Sequence, residues 1–158
     1  NMGLPNFEPA SLPFRYPDKQ LGYELLIDNE LVYFGAVSMG NPHIIIPVTN
    51  LNTTPVQKLG QMLSEHPAFP EQVNVGFMQQ ISRNRLKLRV YERGVGETEA
   101  CGSGACAAVV IGRSWDLFDA NVEVMVPGGE LSILWDTMVD SVLMTGPAEF
   151  IFDGAIIL

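Results

Sequence analysis

The sequence predicts an α+β domain, a mostly antiparallel sheet with two helices, one of them apolar enough to be wrapped by strands. Three observations carry this expectation. The chain has 158 residues, 47% hydrophobic and 17% charged, long enough to bury one core and too apolar for a disordered chain. Short β-branched runs bounded by turn residues outnumber helical patterns. Of the two helix-compatible stretches, Ala105 to Ile111 carries only small or apolar side chains, as a helix with no wet face must.

The opening, Asn1 to Pro17, reads as an extended connector, because Pro5, Pro9, Pro13 and Pro17 break both helix and central strand. Tyr23 to Ile27 and Leu31 to Ser38 are strands flanking Asp28-Asn29, a hairpin-closing pair. Ile44 to Val48 is a further strand. Thr54 and Pro55 begin a helix, threonine as a cap and proline at the first helical position, with Val56, Leu59 and Leu63 on one face. It stops near His66-Pro67, since the residue before proline leaves the helical region. Val73 to Gln80 and Arg85 to Tyr91 follow as strands. In the second, Leu86, Leu88 and Val90 alternate with Arg85, Lys87 and Arg89, the pattern of a sheet with one wet face. Beyond the small-residue helix come Ala120 to Val126, Glu130 to Trp135, Asp140 to Thr145, and a last run ending in Ile156 to Leu158. Pro127-Gly128-Gly129 turns the chain between the first two.

The formal charge of −9 argues against nucleic acid or an anionic membrane surface as partner, both being polyanions. The apolar runs are far shorter than a bilayer span, and no leader-like segment opens the chain, so a cytoplasmic protein is expected. The two cysteines, Cys101 and Cys106, are too few for a disulfide framework. As a C-x4-C pair with no nearby histidine cluster they do not read as a metal site, and no metal is expected.

Chemistry concentrates in Glu92 to Val110, ERGVGETEACGSGACAAVV. Cys101 precedes Gly102, Ser103 and Gly104 at a helix start. There the first amides lack internal partners and the dipole is positive, so the backbone alone can cradle a carboxylate and a thiol can be held as thiolate. Cysteine also fills space in cores, which is the expectation for Cys106, mid-helix. Five residues on, Cys106 lies about 140° around and about 7.5 Å along the axis, so it cannot act with Cys101. Arg93 can grip a carboxylate and Glu92 can orient a thiol or bind an ammonium, although both also read as ordinary charges at a strand end. Two chemistries stay open. Cys101 with His43, in Gly-Asn-Pro-His, could attack a carbonyl, His66 being a loop residue; or a thiolate could remove a proton from carbon while a second acid delivers one to the opposite face.

These residues resemble the diaminopimelate epimerase family. The stretch from Glu92 to Ala108 looks like its second cysteine motif, and four more blocks follow the family order: Asn1 to Pro9, Ser38 to His43, Phe69 to Met78, and Val126 to Leu131. The resemblance implies one lobe of a two-lobed enzyme, each lobe a mostly antiparallel sheet curled around a central helix with a cysteine at its start. One cysteine is the base, the other the acid, and no cofactor takes part. It implies catalytic roles for Cys101, Glu92 and His43. Asn41, Asn74, Glu92 and Arg93 would hold the ends of the amino acid substrate diaminopimelate, and the amides of Gly102 and Ser103 its reacting carboxylate. Residues 1–158 would form the C-terminal lobe, with 147–158 crossing to a missing N-terminal lobe that supplies the second thiol; alone, the chain is expected to be inactive. Without that lobe the end of the chain would pair with a second copy in a homodimer or lack order. A proline racemase-like half and a noncatalytic amino-acid-binding lobe are the alternatives.

Overall fold

The structure, a computed structural model, describes residues 1–137 and 140–156. Strands β1 (Tyr23–Ile27) and β2 (Glu30–Ser38) form a hairpin. Its turn residues Asp28 and Asn29 have φ of 51° and 67°, the left-handed pair a tight hairpin demands and short polar side chains tolerate. Strand β3 (Pro42–Pro47) runs back along β2. Helix α1 (Val56–Ser64) then crosses over to β4 (Asn74–Ser82), which is parallel to β3. Strand β5 (Arg85–Glu92) returns along β4, and the short β6 (Gly96–Thr98) folds back on the last residues of β5. Helix α2 (Gly102–Ser114) crosses to β7 (Asn121–Val126), parallel to the first residues of β5; β8 (Gly129–Leu134) and β9 (Leu143–Thr145) complete the sheet. The sheet is mostly antiparallel, in the order β1-β2-β3-β4-β5-β7-β8-β9. Because β6 and β7 share one edge of β5, β6 at its end and β7 at its start, Glu92 is left beside the loop that enters α2.

Both faces of the central strands are dry. In β3, Ile45 points to a core with Val37, Met78, Leu88 and all of α2 from Gly104 to Gly112, while Ile44 and Ile46 point to a second core. That second core holds Val56 and Leu63 of α1 and an aromatic group in which Phe14 packs on Phe69 and Tyr23 with centroids 4.7 and 4.9 Å apart. The small side chains of α2 let the sheet wrap it closely: a Cβ on Gly112 would fall 2.3 Å from the Phe118 ring.

Several expectations are corrected. The opening segment is not merely a connector: it holds a short 3-10 helix, Pro9–Ser11, buries Leu12 and Phe14, and bridges Asn6 to Ser38. Leu86, Leu88 and Val90 are buried as predicted, but the opposite face of β5 is not wet to its end. Tyr91 is buried against α1, whose Gly60 lies so close that a Cβ would sit 2.5 Å from that of Tyr91. Thr54 does not cap α1; its hydroxyl donates to the Asn50 carbonyl at 2.8 Å. The strand expected over Asp140 to Thr145 forms only at Leu143–Thr145. Of the last expected run, residues 146–156 lie outside any strand, with Phe150, Ile151, Phe152 and Ile156 exposed, and residues 157 and 158 lie outside the described residues.

Candidate active site

Cys101 is the N-cap residue of α2, with extended backbone, φ −136° and ψ 103°. Its carbonyl accepts the Ala105 amide at 2.9 Å, while its side chain is left to other partners. Sγ lies 3.4 Å from Glu92 Oε2 and 3.7 Å from Ser103 Oγ. Glu92 is held in turn by the Thr98 hydroxyl, which donates to Oε1 at 2.6 Å. Strand β6 therefore positions the carboxylate that meets the thiol. The amides of Gly102 and Ser103 donate to no partner among the described residues, as the first turn of a helix leaves them. Gly104 is required here: a Cβ would press within 3.3 Å of the Cys101 sulfur and 3.1 Å of Val90.

The groups around the thiol act on it in opposite directions. Cys101 is buried, and burial pushes its thiol up; hydrogen bonds from the Ser103 hydroxyl and the Gly104 amide pull it down, and the Glu92 carboxylate pushes it up again, for a net rise. Burial and the Glu92 carboxylate together outweigh the hydrogen bonds and favour the thiol. The sulfur is nevertheless not enclosed by aliphatic groups alone, since a carboxylate and a hydroxyl reach it. Cys106, fully buried among alanines and valines, is pushed to about 12 by burial and then by Cys101, as a space-filling cysteine should be.

His43 lies under the start of α2 and is fully buried. Its Nε2 meets Asn41 Oδ1 at 3.1 Å and Ser103 Oγ at 3.0 Å, and Asn41 Nδ2 donates to the same Ser103 Oγ at 3.3 Å. Nδ1 is buried without a partner among the described residues. Burial, then the nearby Arg93 charge, lowers the ring to about 3, so it is neutral at physiological pH. The imidazole addresses Ser103 rather than the sulfur, and no Cys–His pair of the hydrolase type is formed.

Asn74 is buried, and both ends of its amide serve the backbone: Nδ2 donates to the Pro42 carbonyl at 3.0 Å, and Oδ1 accepts the Arg93 amide at 3.1 Å. It ties the start of β3 to the end of β5. Arg93 is exposed, with Nη1 donating to the Glu71 carbonyl at 3.2 Å, and it forms no ion pair with Glu92 among the described residues. The fold thus gathers Cys101, Glu92, Ser103, Asn41 and His43 into one connected group and sets Arg93 and Asn74 on its rim. Sequence reading missed Thr98 and the Ser103 hydroxyl. Thr98 follows Glu92 by six residues, and only the reversal between β5 and β6 brings them together. Met144 of β9 was missed as well; its sulfur would lie 3.1 Å from a Cβ on Gly102, so β9 roofs the start of α2.

Comparison with known proteins gives the family and the fold. The family described as diaminopimelate epimerase matches residues 35–151. Among solved structures, the chain is similar to a methylitaconate-delta-isomerase, with TM-score 0.58 and 14% identity over 87% of this chain and 50% of that one. It is similar to a hydroxyproline epimerase from Agrobacterium vitis with bound trans-4-hydroxy-L-proline, with TM-score 0.57 and 13% identity over 77% and 43%. A third is a probable proline racemase from Agrobacterium radiobacter K84, with TM-score 0.54 and 12% identity over 79% and 45%. These likenesses show a shared fold, and the chain spans half or less of the length of each of these structures. No helix among the described residues is long and apolar enough to cross a membrane.

Proposed function

The chain belongs to the diaminopimelate epimerase family, and on that premise we propose that it supplies one of the two acid/base thiols of a cofactor-independent amino acid epimerase. The observation that carries this reading is the environment of Cys101: a sulfur at a helix N-cap, 3.4 Å from Glu92 and beside the uncommitted amides of Gly102 and Ser103. A substrate carboxylate seated on those amides would place its α-carbon at the sulfur. Its α-ammonium, near Glu92, would offset the negative charge that keeps the thiol protonated and let Cys101 act as base. Cys101 then takes the α-proton while a thiol on a second lobe donates its proton to the opposite face. After one turnover the two thiols have exchanged protonation states, and the reverse reaction runs with roles exchanged. The substrate is LL-diaminopimelate, the product its meso form, and the exposed Arg93 serves the distal carboxylate. A lobe bearing the second thiol is the required partner, and alone the chain is inactive.

The test pairs this chain with a family lobe carrying the other cysteine and follows deuterium entry from D2O into the α position by NMR. Removing a general acid or base from such a reaction costs about 100- to 10,000-fold. Cys101→Ala is expected to fall in that range, with Cys106→Ala close to the parent rate. Undiminished exchange in Cys101→Ala would overturn the assignment. Exchange with proline but not diaminopimelate would transfer it to a proline racemase-like activity.

A further inference from the structure

Ser103 sits where three side chains converge, and the number of protons among them is limited. A neutral imidazole carries one ring proton. Nδ1 of His43 is buried without a partner, and orphaned buried N–H groups are rare, so the proton belongs on Nε2. That N–H faces Asn41 Oδ1 and Ser103 Oγ at 3.1 and 3.0 Å. With Oδ1 turned toward it, the Asn41 amide has its Nδ2 toward Ser103 Oγ, 3.3 Å away; the flipped amide would set one N–H against another. The serine oxygen therefore accepts from two donors, and among the described residues its own proton has one remaining neighbour, the sulfur at 3.7 Å.

We infer that Ser103 is a positioning residue for Cys101: His43 and Asn41 occupy its oxygen, and its hydroxyl proton is thereby aimed at the sulfur. The inference rests on reading Cys101 as an acid/base thiol, and it extends the serine's part from its backbone amide to its side chain. An O–H donated to sulfur favours the thiolate, whereas Glu92 Oε2, on the other side, favours the thiol. The sulfur is thus held between one partner for each of its two states, as a group that must alternate between them requires. The titratable and charged groups around it are Glu92 at the end of β5, Cys106 within α2 and, through Ser103, His43 from β3 with the Arg93 charge near its ring; β9 presents the uncharged Met144. The tether also explains why a histidine is held neutral here: a charged ring would carry a proton on Nδ1 with nothing to receive it.

The test is the pH dependence of Cys101 alkylation by iodoacetamide in the substrate-free chain, with the modified cysteine identified by tandem mass spectrometry. Losing a hydrogen bond to a charged group changes an equilibrium about tenfold or more. Ser103→Ala is therefore expected to move the midpoint up by about one pH unit, slowing alkylation about tenfold below it. Ser103→Thr, which keeps the hydroxyl, is expected to retain the parent profile. Asn41→Ala, which frees the hydroxyl to turn elsewhere, is expected to move it the same way by a smaller amount and to add nothing to Ser103→Ala. A superimposable profile for Ser103→Ala, or an additive double variant, overturns the inference. If Ser103→Ala does not fold, an unmoved midpoint in Asn41→Ala overturns it instead. Deuterium exchange by the assembled enzyme separates the two failures: lost exchange in Cys101→Ala with an unmoved Ser103→Ala midpoint sinks only the serine's role, whereas exchange surviving Cys101→Ala sinks the function itself.

Discussion

The two helices lie on opposite faces of the same strands and are built on opposite rules. Helix α1 is amphipathic: Val56, Gly60 and Leu63 face the sheet, and Gln57, Lys58 and Gln61 face solvent. Helix α2 has no solvent face from Gly104 to Gly112. A helix wrapped this completely presents its dipole at only two places, its ends. The sheet closes around the α2 body and leaves a connected group of polar side chains at its start, where Cys101, Glu92, Ser103, Asn41 and His43 meet. The start of α1 has no counterpart: its N-cap is Pro55, and Thr54 turns away to a carbonyl. The α2 helix, which gathers polar side chains only at its start, is held by apolar contact along the rest of its length.

The comparison predicts its largest asymmetry for one charge placed on each helix. Ala107→Lys puts an ammonium at a fully buried position of the apolar core. It is expected to cost more than about 4 kcal/mol, enough to abolish cooperative unfolding in a domain of ordinary stability. Gln61→Lys, on the exposed face of α1 beside Glu65, is expected to change stability by less than about 0.5 kcal/mol. Urea unfolding of both variants checks this; comparable losses would mean that α2 is not wrapped as described.

How much of this could be read in the sequence follows from how local each signal is. The alternation of Leu86, Leu88 and Val90, the Asp28-Asn29 turn and the glycine-flanked cysteine are encoded in adjacent residues, and they stand where expected. What failed depends on partners distant in the chain. The face of β5 that alternation marked as wet ends under Gly60 of α1, thirty-one residues before Tyr91 in the sequence. Strand β6 is only Gly96–Thr98, too short to show a period, yet it supplies the hydroxyl that fixes Glu92. The thiol was read from the helix start alone, which favours thiolate; the surroundings that reverse the balance come from the packed core and from Glu92. The Ser103 hydroxyl was overlooked because its three partners come from β3, the loop before it and the cap of its own helix.

An intermediate effect separates the polar group at the start of α2 from the dry side of the sheet. The His43 ring is lowered from 6.5 to about 3, by burial first and by Arg93 second, so between those pH values the unfolded chain binds a proton that the folded one does not. Stability is therefore fully present above pH 6.5 and is lost as pH falls toward 3, with a slope approaching about 1.4 kcal/mol per pH unit. Unfolding free energies from urea titrations at pH 7 and 5.5 are expected to fall by about 1 kcal/mol in the parent chain. His43→Gln, which keeps a donor near Nε2 but does not titrate, is expected to flatten that window. An equally steep fall in the variant would place the acid sensitivity elsewhere.

The smallest effect concerns what fastens α1. Among the described residues its polar tie to the β1–β2 turn is the pair of Lys58 Nζ and Asp28 Oδ2 at 3.4 Å, with the two side chains 73% and 63% exposed. Solvent screens such a pair, and ordering two long side chains offsets most of its attraction. The position of α1 is set instead by the close approach of Gly60 to Tyr91 and by Val56 and Leu63 in the aromatic core. Lys58→Ala is thus expected to shift stability by less than about 0.5 kcal/mol, and in 1 M salt the difference from the parent should disappear. A loss that exceeds this and survives high salt would show that the exposed helix depends on its charges as the wrapped one depends on its packing, and the contrast between the two would fail on the side of α1.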